Sequence, residues 1–194
     1  MDVDQEGGND VGGGSFDGQR TADPGTKTGF HGVAVTATNR DDIESFTISP
    51  AGGVAGIAIS ATINVVDTDT HAYIGSGAQV NADTSGASDS QSVHIAAGND
   101  FYHLAVAGTL AGGVVGVSPA ADVTVLDNTT EAYIGSGAST LVKAKDDITV
   151  EAHAREDILL IAFGIAGGVV GIGGAVNVLT IDNTTTAYIG EMPM

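Results

Sequence analysis

The sequence predicts an all-β fold, a parallel β-solenoid, and three observations lead to it. A unit marked by the same motifs occurs three times at nearly constant spacing. Within each unit apolar and polar residues alternate with the period of a β-strand. No window of about 11 residues carries an amphipathic helical stripe. Short strands of this kind suit a sandwich, a barrel or a solenoid, and the repetition favours the solenoid.

Residues 1–30 precede the repeats and are rich in Gly, Asp and Thr. Val3, Val11, Phe16 and Phe30 are their sizeable apolar groups. So little apolar surface cannot offset the entropy lost on ordering the segment. We therefore predict a disordered, acidic, glycine-rich leader or linker at 1–30.

Three copies of one unit follow the leader. AYIGSG occurs at 72–77 and 132–137, AYIG returns at 187–190, and a glycine pair precedes each copy by the same interval. The tyrosines of this motif, Tyr73, Tyr133 and Tyr188, lie 60 and then 55 residues apart. The difference falls in the polar stretch DTSGASDSQ at 83–91. We predict three repeats, at about 31–91, 92–145 and 146–194, the last cut short at its end.

Each unit is long for one coil of a solenoid. About six short strand patterns can be drawn in it, such as DDITVEAHA at 146–154 and VNVLTID at 176–182. We therefore predict two three-strand coils of roughly 28 residues per repeat, six coils in all. Parallel strands covered on both faces would explain the long apolar runs, and closely spaced walls would explain the Gly and Ala content.

Composition narrows the possible partners. The 194 residues carry a formal net charge of −18, with only 6 Lys plus Arg and no Cys. Such an acidic chain lacks a basic face for nucleic acid and is not attracted to an anionic membrane surface. The absence of Cys excludes disulfides and thiolate metal sites. The N-terminus resembles no signal peptide, so we expect any export signal to lie elsewhere in a longer protein.

The stretch 165–190, IAGGVVGIGGAVNVLTIDNTTTAYIG, allows three interpretations. A dinucleotide-binding loop is disfavoured because Val176 stands where the third glycine is needed. A membrane-spanning helix remains an alternative, since 158–181 carries no charge and is long enough to cross a bilayer. A buried coil of a parallel sheet is the interpretation that we favour.

No residue pattern indicates chemistry strongly. The histidines are scattered, and we expect solvated or strand-face side chains rather than metal ligands: His31, His71, His94, His103 and His153. Asp67, Asp127 and Asp182 recur in all three copies. They are expected to bond their own backbone at a corner between strands, with calcium binding left open. We accordingly predict no catalytic, cofactor-binding or metal-binding residue.

The recurring tyrosines Tyr73, Tyr133 and Tyr188 are expected to pack under such a corner rather than to form a platform for sugars. A threonine array for ice or crystal surfaces, suggested by 184–186, is interrupted by Asp69 and Glu131 at matching positions.

Together these motifs resemble the repeats of a known protein family. AGGVVGIGGAVNV, the DNTT segment, AYIGSGA and the following DDITV strand are similar to repeats of very large bacterial surface and secreted adhesins, the leukotoxin-like and filamentous-haemagglutinin-like proteins. The resemblance covers about residues 31–194. It implies a right-handed parallel β-helical stalk that is exported and displayed or released at the cell surface.

The function expected from the sequence is a non-enzymatic structural stalk segment of such an adhesin. Its expected partners are the rest of a longer polypeptide and further copies of itself, with a host-surface or glycan ligand bound through other regions. No nucleic-acid binding and no membrane insertion of this segment are expected. A polysaccharide-acting β-helical enzyme is the rival, and its candidate residues occur in one copy only: Lys143, Lys145, Glu151, Arg155 and Glu156. A glycine-rich membrane-spanning segment is the other alternative.

Overall fold

The computed structural model describes residues 30–191 in full and the backbone of four short strands before them. These strands are β1 (Val3–Gln5), β2 (Asn9–Asp10), β3 (Ser15–Phe16) and β4 (Gly25–Lys27), of which β1 pairs antiparallel with β4 and β2 with β3. The rest of residues 1–29, and residues 192–194, lie outside the described residues. The disorder expected for residues 1–30 therefore stays a prediction.

The fold is all-β, and its long strands run parallel. Along the described chain they are β5 (His31–Gly52), β6 (Ala55–Ile57), β7 (Ser60–Ile74), β8 (Gln79–Val80), β9 (Gln91–Gly112), β10 (Val115–Gly135), β11 (Leu141–Val142), β12 (Ile148–Gly167) and β13 (Val170–Gly190). No helix occurs among the described residues.

Two parallel sheets face each other across a narrow interior. Sheet 1 has the order β12-β9-β5, and sheet 2 has β13-β10 with β6 and β7 on the far side of β10. The short strands β8 and β11 pair in the connection between the sheets. Residues that pair within each long sheet are 60 or 55 positions apart, as in Tyr73 with Tyr133 and Tyr133 with Tyr188. These are the intervals between the sequence motifs.

This register corrects the prediction of two coils per repeat. Two coils of roughly 28 residues would pair residues about that far apart, whereas β5, β9 and β12 pair at 60 and 55. Each repeat therefore runs once along each sheet, interrupted in the first repeat between β6 and β7, and this register leaves no place for two coils per repeat. Residues 155–157 lie within β12, and Glu156 accepts hydrogen bonds from Asn128 and Asn183.

The chain passes from sheet 1 to sheet 2 at each glycine pair. Gly53 and Gly168 adopt φ of 143° and 146°, which side chains rarely tolerate. A Cβ on Gly113 would collide with the carbonyl oxygen of Gly53, and a Cβ on Gly168 with that of Gly113. The glycine pairs thus serve the turn and the close stacking of successive turns.

The interior changes in character along the strands. In the half near the β8 and β11 connection it is apolar, with Ile74, Val93, Ile95 and Ile134 as its larger members. In the half near the glycine turns it is narrow, since a Cβ on Gly164 would meet the backbone of Gly174 on the opposite sheet. The expectation that small residues line close walls is confirmed there.

Pro119 explains the one interruption between β6 and β7. It lies on the central strand β10, and the neighbouring chain leaves the ladder at residues 58 and 59, opposite Ser118 and Pro119. Proline has no N–H to donate to a sheet. The ladder resumes at Ala120 with Ser60.

The stretch 165–190 forms the end of β12, a glycine turn and β13. Neither a helix nor a phosphate-binding loop leading into one is present in it, so both alternative interpretations are wrong. The expectation of burial on both faces is also wrong. Val170, Ile172 and Val176 point away from the interior and are exposed, because only one face of each sheet meets the other.

Candidate functional site

A polar cleft lies at the edge of the two sheets. It has a volume of about 570 Å³ and opens between β5 and β7. Asn39 and Asp41 line it from β5, and Asp67, Asp69 and His71 line it from β7. Its size falls within the range of small-molecule sites. Its carboxylates and amide would suit a cation or a hydroxyl-rich compound better than an anion.

Three of these polar groups, Asn39, Asp41 and His71, already have partners. Asn39 Nδ2 donates to Asp41 Oδ2 at 2.6 Å and to Asn99 Oδ1 at 3.3 Å. His71 Nδ1 lies 3.2 Å from Glu131 Oε2. Among the described residues no group of three or more His, Cys, Asp or Glu side chains is arranged to hold a metal ion. The cleft therefore offers hydrogen-bonding groups but no coordination sphere.

The recurring aspartates form a row rather than a site. Asp67, Asp127 and Asp182 pair in register on the outer face of sheet 2, and all three are exposed. They lie well inside long strands, so the expectation of a corner between strands is wrong. Adjacent parallel strands hold such side chains about 4.8 Å apart. A single file of carboxylates on a flat sheet gives a calcium ion ligands from one side only.

The tyrosines also form a row. The rings of Tyr73 and Tyr133 stack with centroids 5.0 Å apart at 7°, and those of Tyr133 and Tyr188 at 5.0 Å and 5°. Each ring covers its neighbour's face, so the central ring has no free face for a sugar. The tyrosines stack along the outer face instead of packing under a corner. Burial raises the pKa of Tyr188, with the nearby Glu131 adding to the rise.

Two histidines that are far apart in the sequence, His94 and His153, lie close to the same carboxylate, that of Glu151. On the outer face of sheet 1, His94 Nε2 lies 3.4 Å from Glu151 Oε1, and His153 Nε2 lies 3.4 Å from Glu151 Oε2. His94 is buried and packs edge-on against Phe30, with ring centroids 6.3 Å apart. Beside them Arg40 Nε lies 3.4 Å from Asp100 Oδ2. One part of this cluster could have been found from the sequence, because the Glu-x-His spacing puts Glu151 and His153 on the same face of a strand.

A second polar group lies in the interior near the glycine turns. His103 is buried, with Nδ1 3.1 Å from the Ile43 carbonyl oxygen and Nε2 3.3 Å from Thr124 Oγ1. Asp122 is buried as well, and neither of its carboxylate oxygens has a hydrogen-bond partner. Burial raises the pKa of Asp122, and the charge of His103 opposes part of that rise. Sequence reasoning missed this residue because it occurs in one copy only.

The residues proposed for the enzyme rival do not converge. Glu151 lies on the outer face of β12, whereas Glu156 points into the interior and binds Asn128. Lys143 donates from Nζ to the Ala82 carbonyl oxygen at 2.9 Å in the connecting segment. Retaining and inverting hydrolases place two carboxyl groups across one bond, about 5 to 9 Å apart on one side of a groove. Opposite faces of one strand cannot supply that pair.

The threonines at 184–186 likewise do not repeat as an array. Thr184 aligns with Thr129 and then Asp69, and Thr186 aligns with Glu131. Thr185 faces the interior with Thr130. The interruption expected from the sequence is confirmed.

Comparison with known proteins gave no match: no family model, no curated protein and no solved structure is similar to this chain. Within the part of the chain that the structure describes, no helix is long and apolar enough to cross a membrane.

Proposed function

We propose that this chain is a non-enzymatic structural segment, a right-handed β-solenoid that forms part of the stalk of a large bacterial surface or secreted adhesin. The proposal extends the observed parallel sheets to a continuous right-handed coil. Its mechanism is geometric, because coils stacked by backbone hydrogen bonds make a stiff element that holds other regions at a fixed distance.

The observation that carries the proposal is the unbroken register. Every residue of β10 from Ala120 to Ile134 pairs with the residue 60 positions before it, and from Val115 to Gly135 with the residue 55 positions after it. Such pairing depends on repetition and not on a particular side-chain chemistry. Rows of identical residues, such as the stacked tyrosines, follow from it.

The distribution of polar groups supports a structural role. The aspartates lie in a file along a flat face, the histidines near Glu151 lie on the other sheet, and Asp122 is enclosed. Enzyme sites converge nucleophile, acid–base groups and binding groups in one concavity. Here the same kinds of residues are spread along strands and over both faces.

Exposed apolar residues on the interior side of β13 support a further coil as the partner of this segment. Ile181 and Leu179 face the interior side of β13 but are 47% and 44% exposed, whereas Leu126, which pairs with Ile181, is 1% exposed. Another coil of similar kind would bury them as β13 buries Leu126. The rest of a longer polypeptide is the partner that we propose for this surface, with a cell-surface or extracellular location.

Immunolabelling of intact source cells tests the proposal. An antibody raised against residues 31–191 should label cells without permeabilisation, and in-frame removal of the three repeats should shorten the projection while ligand binding elsewhere persists. Labelling only after permeabilisation would refute the surface role. In a parallel assay with a panel of polysaccharides, the chain should release no reducing ends. If it does release them, and Glu151→Gln abolishes the release, the enzyme rival would be favoured.

A further inference from the structure

Apart from the buried Asp122, the charged side chains of the described residues are confined to one half of the molecule. Residues 45–66 and 158–181 carry no charged side chain, and 104–126 carry only Asp122, which is buried. These three segments are the halves of the coils that flank the glycine turns. The acidic residues, including the row at Asp67, Asp127 and Asp182, begin where the segments end.

Along most of this half, the sheet 2 residues that face the interior are small or polar, whereas those on the outer face are apolar. The interior of sheet 2 there holds Ser60, Thr62, Ser118 and Thr124, all buried. The outer face of the same strands carries large β-branched residues that are exposed: Ile57, Ile59, Ile63, Val65, Ile172 and Val176. A soluble monomer rarely leaves so continuous an apolar face uncovered.

The outer face of sheet 2 is the larger of the two apolar faces. At about 3.3 Å per residue and 4.8 Å per strand, the stretch from Ala55 to Val66 and its partners measures about 40 Å by 14 Å, or ~560 Å². Two such faces would bury about 1,100 Å², close to the lower limit of a specific interface. The corresponding face of sheet 1, from Ser45 to Gly52, measures only about 370 Å². An interface made of two such faces would therefore fall below that limit.

Stacking of a second copy on the ends of the sheets is opposed by charge. If β5 of one copy followed β12 of another in the existing register, Arg40 would lie beside Arg155 and Asp42 beside Asp157. Asp41 would likewise lie beside Glu156. Like charges on an edge strand are a known protection against end-to-end growth. A lipid bilayer is also a poor cover, because hydrocarbon cannot satisfy the free backbone groups along β7 and β13.

We propose that a second copy of this chain covers the outer apolar face of sheet 2, face to face and with the two sets of glycine turns pointing in opposite directions. This is an isologous arrangement, in which the same patch is used by both partners. The antiparallel direction overlaps the uncharged halves and leaves the acidic halves at opposite ends. The parallel direction would bring two acidic halves together within a Debye length of about 8 Å.

Sedimentation velocity of the full chain from ~1 µM to ~1 mM tests the interface, since an area of this size gives weak association. We expect a concentration-dependent shift from monomer to dimer that strengthens as salt screens the net charge. Ile63→Asp with Ile172→Asp should keep the chain monomeric throughout. Both residues are exposed, 71% and 63%, so the fold should tolerate them.

The matched control adds the same charge to the other sheet. Ile48→Asp with Ile165→Asp changes residues that are 56% and 57% exposed on the outer face of sheet 1, and it should dimerise like the parent. A parent chain that stays monomeric over the whole range, or a control that loses the dimer equally, overturns the proposal. The proposal is also overturned if the parent chain forms no dimer but binds phosphatidylcholine vesicles, and Ile63→Asp abolishes that binding.

Cross-linking tests the direction, since the chain has no cysteine of its own. Val115 and Val125 lie on the outer face of β10, near opposite ends of the apolar stretch. In the antiparallel dimer, Val115→Cys on one copy should join Val125→Cys on another through a bismaleimide that spans the ~10 Å between packed sheets. Efficient joining of Val115→Cys to itself would contradict the antiparallel direction.

Discussion

Asn128 donates a hydrogen bond from Nδ2 to Oε1 of Glu156 at 2.7 Å, across the interior between the two sheets. Asn183 donates to the same oxygen at 2.6 Å, and Asn99 donates to Asn128. A single carboxylate thus ties two strands of sheet 2, β10 and β13, to one strand of sheet 1. Buried polar groups are stable in this setting only when their bonds are satisfied.

Replacing this carboxylate should destabilise the fold. Glu156→Ala leaves the two amide donors without their acceptor, and we expect a loss of about 2–3 kcal/mol in the free energy of unfolding. Glu156→Gln should cost less, because its amide oxygen still accepts. Urea unfolding measures both, with Asp157→Ala, an exposed neighbour, as a control within about 0.5 kcal/mol of the parent. Equal midpoints for the two alanine variants would refute this role for Glu156.

Asp122 should make stability depend on pH. Burial raises the folded-state pKa of Asp122 above its unfolded-state value of about 3.9. The stability that the protonated carboxyl contributes is therefore complete below the unfolded-state pKa. That contribution is lost as the pH rises through the folded-state pKa. Asp122→Asn should therefore raise the melting temperature at pH 7 by about 2–4 °C, equivalent to ~1 kcal/mol in a chain of this length. The gain should vanish near pH 3. Thermal unfolding followed by circular dichroism checks this, and a difference that stays constant from pH 3 to 8 would contradict it.

The glycine turns should be intolerant of a methyl group. Gly168 has a φ of 146°, and an added Cβ would collide with the backbone of Gly113. We expect Gly168→Ala to cost about 2 kcal/mol or more. Gly174→Ala is the matched control, since a Cβ there meets nothing within 4 Å. Chemical denaturation of the two variants should separate them clearly, and similar midpoints would mean that the turn relaxes around a side chain.

The tyrosine row should contribute through ring stacking rather than through apolar area alone. Tyr133 stacks on both Tyr73 and Tyr188, so Tyr133→Leu removes two stacked pairs while keeping a large apolar side chain. At about 0.5–1.5 kcal/mol per pair, the expected loss is ~1–3 kcal/mol. Tyr73→Leu removes one pair and should cost about half as much. Near-ultraviolet circular dichroism should lose its tyrosine signal in proportion, and equal costs for the two variants would argue against stacking.

Repetition in the sequence determined which residues lie beside one another along each sheet. Tyr73, Tyr133 and Tyr188 could be aligned before any coordinates existed, and the register pairs them. Alternation of polar and apolar residues likewise predicted strands without helix. These features depend on local backbone preference and on repeated spacing, and both can be read from a single chain.

The candidate polar clusters could not be read in the same way. His94 and Glu151 belong to different repeats and do not occupy matching positions, so no spacing rule brings them together. The same holds for Asn128 and Glu156, which belong to different sheets. The partners of Glu156 lie on another part of the chain, where no local sequence pattern points to them.

By itself, the sequence determined the strand period and the repeat interval. Only the tertiary structure decided how many times each repeat runs along each sheet and which face of each strand looks inward. Alternation says that Ile63 and Thr62 point to opposite faces, but it assigns neither to the interior. Thr62 bonds to Thr47 across the narrow interior and Ile63 is left outside, because the space between the sheets near the turns admits only small side chains.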